Sequence, residues 1–252
     1  MYNGITIKPP FFEIGPKAFM YGERMLQLAK AADEASAKYD VRIILTPQPS
    51  DIYLLAKETS HLLIFAQHMD PITVGRGLGS ILPEAVKAAG AVGVMLNHAE
   101  KPMTTEELYK AIKRADEIGL ATIVCADSIK DAEAIAHLSP NIIVAEPTEL
   151  IGTGVTSDEE YVIATTSAIK RINPEIQVLQ AAGIKNERDV YNVMKAGADA
   201  TGTTSGIMMA DNPEAMLNDM IHAVRIAWDE LHLLKSINNL KKEENETLQR
   251  NY

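Results

Sequence analysis

A single cysteine, Cys125, stands in the 252 residues. No intrachain disulfide is therefore possible, nothing points to an oxidising compartment, and zinc sites built on several cysteines are excluded. Aromatic residues are scarce at 5%, which leaves the core to Ile, Val, Leu, Ala and Met. Positive charge is short too: 24 Lys and Arg face 34 Asp and Glu, a formal net charge of −10. That balance excludes nucleic acid and anionic membrane as general partners, since both need clustered cations. A small anionic substrate stays open, because a pocket on an acidic protein is locally positive wherever a lysine lines it. No run of ~18 or more apolar residues reads as a membrane span, and Met1–Pro10 lacks the basic-then-apolar layout of a secretory signal. The expected location is cytoplasmic.

What is present is a repeat of short apolar runs and amphipathic stretches. Strands are predicted at Phe11–Gly15, Val41–Thr46, Leu62–Ala66, Val92–Leu96, Ala121–Cys125, Asn141–Ala145, Ile176–Gln180 and Asp199–Thr203. None alternates cleanly between polar and apolar residues, as suits parallel strands covered on both faces. Helices are predicted at Tyr21–Lys38, Ser50–Thr59, Pro83–Ala89, Thr104–Ile118, Ile129–Leu138, Asp158–Ile172, Glu187–Ala196 and Pro213–Leu231. Thr104 precedes two glutamates as an N-cap should, and Gly119 and Gly197 stand at helix ends.

Eight strands alternating with helices give an α/β protein, either a closed (β/α)8 barrel with a parallel eight-stranded sheet or an open doubly wound sheet. The count and even spacing favour the barrel, which often runs to about 250 residues as one unit. The first strand is followed by Gly15-Pro16-Lys17, which is no glycine-rich nucleotide loop. Residues 1–234 therefore read as one domain. Residues 235–252 read as a polar C-terminal extension, too poor in large apolar side chains to pack.

In a parallel barrel, reactive residues sit just after the strands, at one mouth. Asn97, His98 and Glu100 follow the fourth strand, and His98 suits carbonyl polarisation or proton shuttling. Glu146 ends the sixth strand before Pro147, where a buried carboxylate is costly unless paired or used. The run from Glu146 to Gly154 starts with proline and ends between glycines, natural hinge positions for a closing loop. Ala181-Ala182-Gly183 and Thr203-Thr204-Ser205-Gly206 follow the last two strands, where small residues let backbone amides approach a phosphate.

The run Glu146-Pro147-Thr148-Glu149-Leu150-Ile151-Gly152-Thr153-Gly154 resembles the catalytic-glutamate loop of the triosephosphate isomerase family, the archaeal-type branch above all. Leu96–Glu100 resembles that family's histidine segment, and Phe65–Pro71 and Leu82–Lys87 its third loop and the following helix. The likeness spans about residues 10–228. It implies a cofactor-free, metal-free aldose–ketose isomerase of glycolysis and gluconeogenesis. The reaction would interconvert dihydroxyacetone phosphate and glyceraldehyde 3-phosphate through an enediolate. Glu146 would be base, His98 electrophile and Lys17 the stabilising cation, with Lys8 its rival. Gly152, Gly183, Ser205 and Gly206 would hold phosphate, with Glu100 and Asn97 in support. A homodimer or homotetramer is implied as well.

The alternatives are isomerisation of a related short sugar phosphate, such as a tetrulose phosphate, or a phosphate-ligand-binding barrel without turnover. Both draw on departures from the family pattern. Gly15 replaces an asparagine that contacts substrate, Ala99 a serine, Ala181 a glycine and Leu78 a threonine, and the eighth strand is unusually polar. Other features read as ordinary structure. Gly75–Gly79 lies too far beyond a strand to be a dinucleotide loop. The six histidines show no paired ligand spacing, and Cys125 reads as a small core residue.

Overall fold

The computed structural model describes residues 4–147 and 159–250. Its eight strands are β1 (Phe11–Ile14), β2 (Arg42–Leu45), β3 (Leu62–Ala66), β4 (Gly93–Leu96), β5 (Ala121–Ala126), β6 (Ile142–Ala145), β7 (Gln177–Gln180) and β8 (Ala200–Thr203). Each pairs in parallel with its sequence neighbour, and β8 returns to β1, so the sheet is a closed barrel. In the closing register Phe11 faces Ala200 and Glu13 faces Gly202.

The helices wrapped outside are α1 (Gly22–Tyr39), α2 (Ile52–Glu58), α3 (Pro83–Ala88), α4 (Thr105–Ile118), α5 (Ile129–Ala136), α6 (Glu159–Ile172) and α7 (Glu187–Lys195), then a four-residue α8 (Ser205–Met208) and α9 (Pro213–Arg250). Thr104 caps α4 in a full capping box: its hydroxyl accepts from the Glu107 amide while the Glu107 carboxylate accepts from the Thr104 amide. Gly119 ends that helix at φ 74°, a left-handed conformation that glycine adopts without strain. Helix α9 passes position 234 without a break and continues to Arg250.

Strand geometry sorts the side chains into two cores, because successive residues point to opposite faces. Those facing outward, such as Phe12, Ile43, Val94, Val124 and Val178, meet the helices. Those facing inward, including Phe11, Ile44, Phe65, Ile123, Ile142, Leu179 and Ala200, fill the barrel and are fully buried. Gly93 serves this plug by absence: a Cβ there would lie 2.2 Å from the Phe65 ring. The filled interior leaves the C-terminal mouth as the place for a ligand.

Candidate active site

Above the plug the same strands turn polar. One step further along the inward face, Glu13 follows Phe11, Thr46 follows Ile44, Gln67 follows Phe65 and Cys125 follows Ile123. These four side chains line a cavity of about 430 Å3. Its walls rise through Lys17, His98, Glu100 and Glu146, and its far side is Ala181, Thr203 and Thr204.

Lys17 sits in the loop after β1 with φ 48°, in the left-handed region that non-glycine residues rarely adopt. Surrounding contacts hold it there. Its carbonyl accepts hydrogen bonds from Gln48 Nε2 at 2.7 Å and Gln67 Nε2 at 2.9 Å, and its Nζ donates to Glu100 Oε1 at 2.6 Å. Gln67 also donates to the Thr46 carbonyl, tying the β1, β2 and β3 loops into one unit. Such over-determined strain is frequent where a side chain must be aimed. Lys8, the rival lysine, is exposed and precedes β1, at the opposite end of the strand from the cavity.

Asn97, at φ 58°, braces the loop after β4. Its Nδ2 donates to the Cys125 carbonyl, and its Oδ1 accepts from the Met103 amide, each at 3.0 Å. The brace presents His98 to the cavity with Nδ1 accepting from the Glu100 amide at 3.0 Å. A ring nitrogen that accepts carries no proton, so the hydrogen of the neutral ring is on Nε2. Burial is the main reason the imidazole is held below its ordinary pKa, and the Lys17 charge adds to it. His98 is thus a neutral hydrogen-bond donor. Glu100 is held low by the hydrogen bond from Lys17.

Glu146 leaves β6 with its amide bonded to the Ala126 carbonyl at 3.1 Å. Burial raises its carboxyl above the usual range, and the Lys17 charge opposes the rise. Of the residues assigned to phosphate from the sequence, Gly152 lies outside the described residues. Gly183, Ser205 and Gly206 are at the same mouth, next to the lining residues rather than among them. The Gly206 amide already donates to Thr203 Oγ1 at 3.2 Å. Glycine is required there because a Cβ would lie 2.7 Å from the Ile184 carbonyl oxygen.

The cavity floor is not among the positions that the strand-end rule picks out. Glu13 belongs to a predicted strand, and a lone carboxylate between Phe12 and Ile14 in a strand buried on both faces is a signal of its own. Glu13 is buried, with a residue exposure of 6%.

Fold and cavity together define the class: a (β/α)8 barrel with a carboxylate, a neutral imidazole and an ammonium group gathered at its C-terminal mouth. A family model of triosephosphate isomerase matches residues 16–223. The triosephosphate isomerase of Methanobacterium bryantii is 40% identical over 206 residues, covering 81% of this chain and 91% of that protein. Those of Sulfurisphaera tokodaii and Methanosarcina barkeri are each 36% identical, covering 85% of this chain and 95% and 99% of theirs. The chain belongs to the triosephosphate isomerase family, in the archaeal-type branch that these relatives represent.

Proposed function

We propose that the protein interconverts dihydroxyacetone phosphate and glyceraldehyde 3-phosphate, with Glu146, His98 and Lys17 as the working groups. The observation that carries this reading is that all three line one cavity, with the tautomer of His98 fixed by the Glu100 amide. The Glu146 carboxylate takes a proton from the carbon beside the substrate carbonyl and becomes the neutral acid. His98 Nε2–H donates to the carbonyl oxygen as negative charge develops there, and the Lys17 ammonium stabilises the resulting enediolate. Transfer of a proton between the two oxygens, then return of the Glu146 proton to the other carbon, completes the exchange. Carbon, oxygen and charge balance with no external oxidant or reductant.

In this reading Gly152, Gly183, Ser205 and Gly206 belong to the loops that hold phosphate, and Glu100 sets the position of Lys17. The substrate is a small phosphorylated sugar, and neither a cofactor nor a metal takes part. Residues 1–234 are the catalytic barrel domain in this reading, and 235–252 a polar C-terminal extension. Self-association as a homodimer or homotetramer is supported by the exposed apolar side chains of Val74 and Leu78 on the loop after β3. Among the described residues no helix is long and apolar enough to cross a membrane, and a cytoplasmic place fits a sugar-phosphate substrate.

A coupled assay on both triose phosphates tests the reading, with turnover in each direction as the expected result. Absence of turnover on both, with solvent exchange of a substrate C–H only on a tetrulose phosphate, would move the assignment to that substrate. No exchange on any of them would leave a binding protein.

A further inference from the structure

Glu13 is a carboxyl that the mechanism above does not use, although it forms the floor of the same cavity. One of its oxygens, Oε1, accepts from Thr46 Oγ1 at 2.8 Å. The other, Oε2, has no hydrogen-bond partner among the described residues. Two glycines make room for the side chain. A Cβ on Gly202, its neighbour on β8, would lie 2.7 Å from the Glu13 carbonyl oxygen, 2.9 Å from its Cβ and 3.1 Å from Oε2. A Cβ on Gly15, directly above, would lie 3.2 Å from Oε1 and 3.4 Å from Oε2. A side chain at position 15 would therefore begin in tight contact with the Glu13 carboxyl and with Thr204 Oγ1, 3.1 Å away. Gly15, the polar eighth strand and the lone carboxylate in β1 are parts of one arrangement.

We propose that Glu13 is a further catalytic residue, whose Oε2 hydroxyl donates a hydrogen bond to the carbonyl and enediolate oxygen of a hydroxy-carbonyl phosphate in the room left by Gly15. The proposal rests on the isomerase reading of the cavity and adds a second oxyanion donor to it. The carboxyl must carry a proton to act, and its surroundings supply that. Burial, first, pushes its pKa up to about 8, the nearby Glu146 adds to the rise, and the Thr46 hydrogen bond and the Lys17 charge oppose it. The charged groups acting on it are Glu146 and Lys17, while the Cys125 thiol, held protonated by burial, lines the same cavity without a charge. On β8 the facing position is Gly202, and Thr204, just past that strand, stands beside Gly15. Two carboxyls in one cup then divide the work: Glu13 holds its proton and donates, and Glu146 ionises and accepts. A buried acid kept neutral near pH 7 is an effective oxyanion donor.

The test is a set of four variants assayed on glyceraldehyde 3-phosphate across pH, with thermal unfolding to confirm folding. Glu13→Ala is expected to lower kcat by roughly 100-fold, the scale of a lost oxyanion donor. Glu13→Gln, which keeps an N–H donor, is expected to lower it about tenfold and to abolish the wild-type decline in kcat as pH rises through about 8. Gly15→Asn alone is expected to lose activity, because its amide meets the Glu13 carboxyl. The double variant E13A/G15N, with that room cleared, is expected to recover about tenfold over Glu13→Ala. Glu13→Ala within about threefold of wild type overturns the proposal. So does a Glu13→Gln profile that keeps the wild-type decline, or a double variant no better than Glu13→Ala. If wild type turns over neither triose phosphate, the isomerase reading fails on its own. Infrared difference spectra on adding glyceraldehyde 3-phosphate then decide the contact. A protonated-carboxyl band that shifts in wild type and is missing from Glu13→Gln upholds it; an unmoved band overturns it.

Discussion

The lower and upper halves of the barrel interior are built by the same strands and differ by one step along the inward face. Below, Phe11, Ile44, Phe65 and Ile123 are apolar and fully buried. Above, Glu13, Thr46, Gln67 and Cys125 surround a cavity. The lower half gains by excluding water from about as much apolar surface as the ring can hold. The upper half buries polar groups whose desolvation must be offset, and it does so with few direct bonds: Glu13 and Glu146 are both raised by burial. The lesson is a division of labour within single strands, in which the plug supplies the rigidity and the cup holds groups away from their ordinary protonation states.

Substitutions in the two halves should therefore fail in different ways. The largest effect is expected at the rim. Glu146→Asp withdraws the proposed base and should lower kcat by about 10²–10⁴-fold with the thermal midpoint little changed; unaltered turnover would remove Glu146 from the mechanism. In the plug, Phe65→Ala should cost about 3–5 kcal/mol in urea unfolding. Its kcat, measured where the variant is folded, should stay near wild type. Gly93→Ala forces a methyl into the Phe65 ring and should cost about 1–3 kcal/mol. A plug variant that kept full stability but lost turnover would break the comparison.

Two pH measurements sharpen it. In the proposed mechanism Glu146 must be ionised to take a proton, and burial raises its pKa. The acid limb of kcat/KM should therefore lie above the 4.5 of an ordinary glutamate, activity being lost as pH falls through the raised value. The smallest effect is on stability. Glu13 has a folded pKa of about 8 against 4.5 when solvated, so between those values the folded state holds a proton that the unfolded chain releases. Wild type should lose stability relative to Glu13→Gln as pH rises from about 5 to about 8, then lose no more above it. Parallel stability curves for the two would contradict the buried neutral acid.

All eight strands were legible within a residue or so, because each is an apolar run bounded by turn residues and covered on both sides. His98 and Glu146 stood out for a different reason, each following a strand where a parallel barrel exposes its chemistry, and Lys17 came from the family resemblance; all three line one cavity. What escaped obeys neither rule. Glu13 is inside a strand, and only the ring closure that sets it against Gly202 shows that its carboxyl has space. Helix α8 is four residues long with no side-chain N-cap, too short for periodicity to register. Beyond residue 234, the sequence of α9 up to Arg250 lacks the regular apolar spacing that marks a packed helix.

The closing pair of strands also sets a timetable. Glu13 is made near the start of synthesis, yet the wall that leaves room for it arrives only with β8, when most of the chain has already left the ribosome. Until that last seam zips, the floor of the cup has an open flank and two carboxyls share bulk water instead of a common recess. Enclosure of a carboxyl carried by the first strand thus waits on the last strand of the barrel.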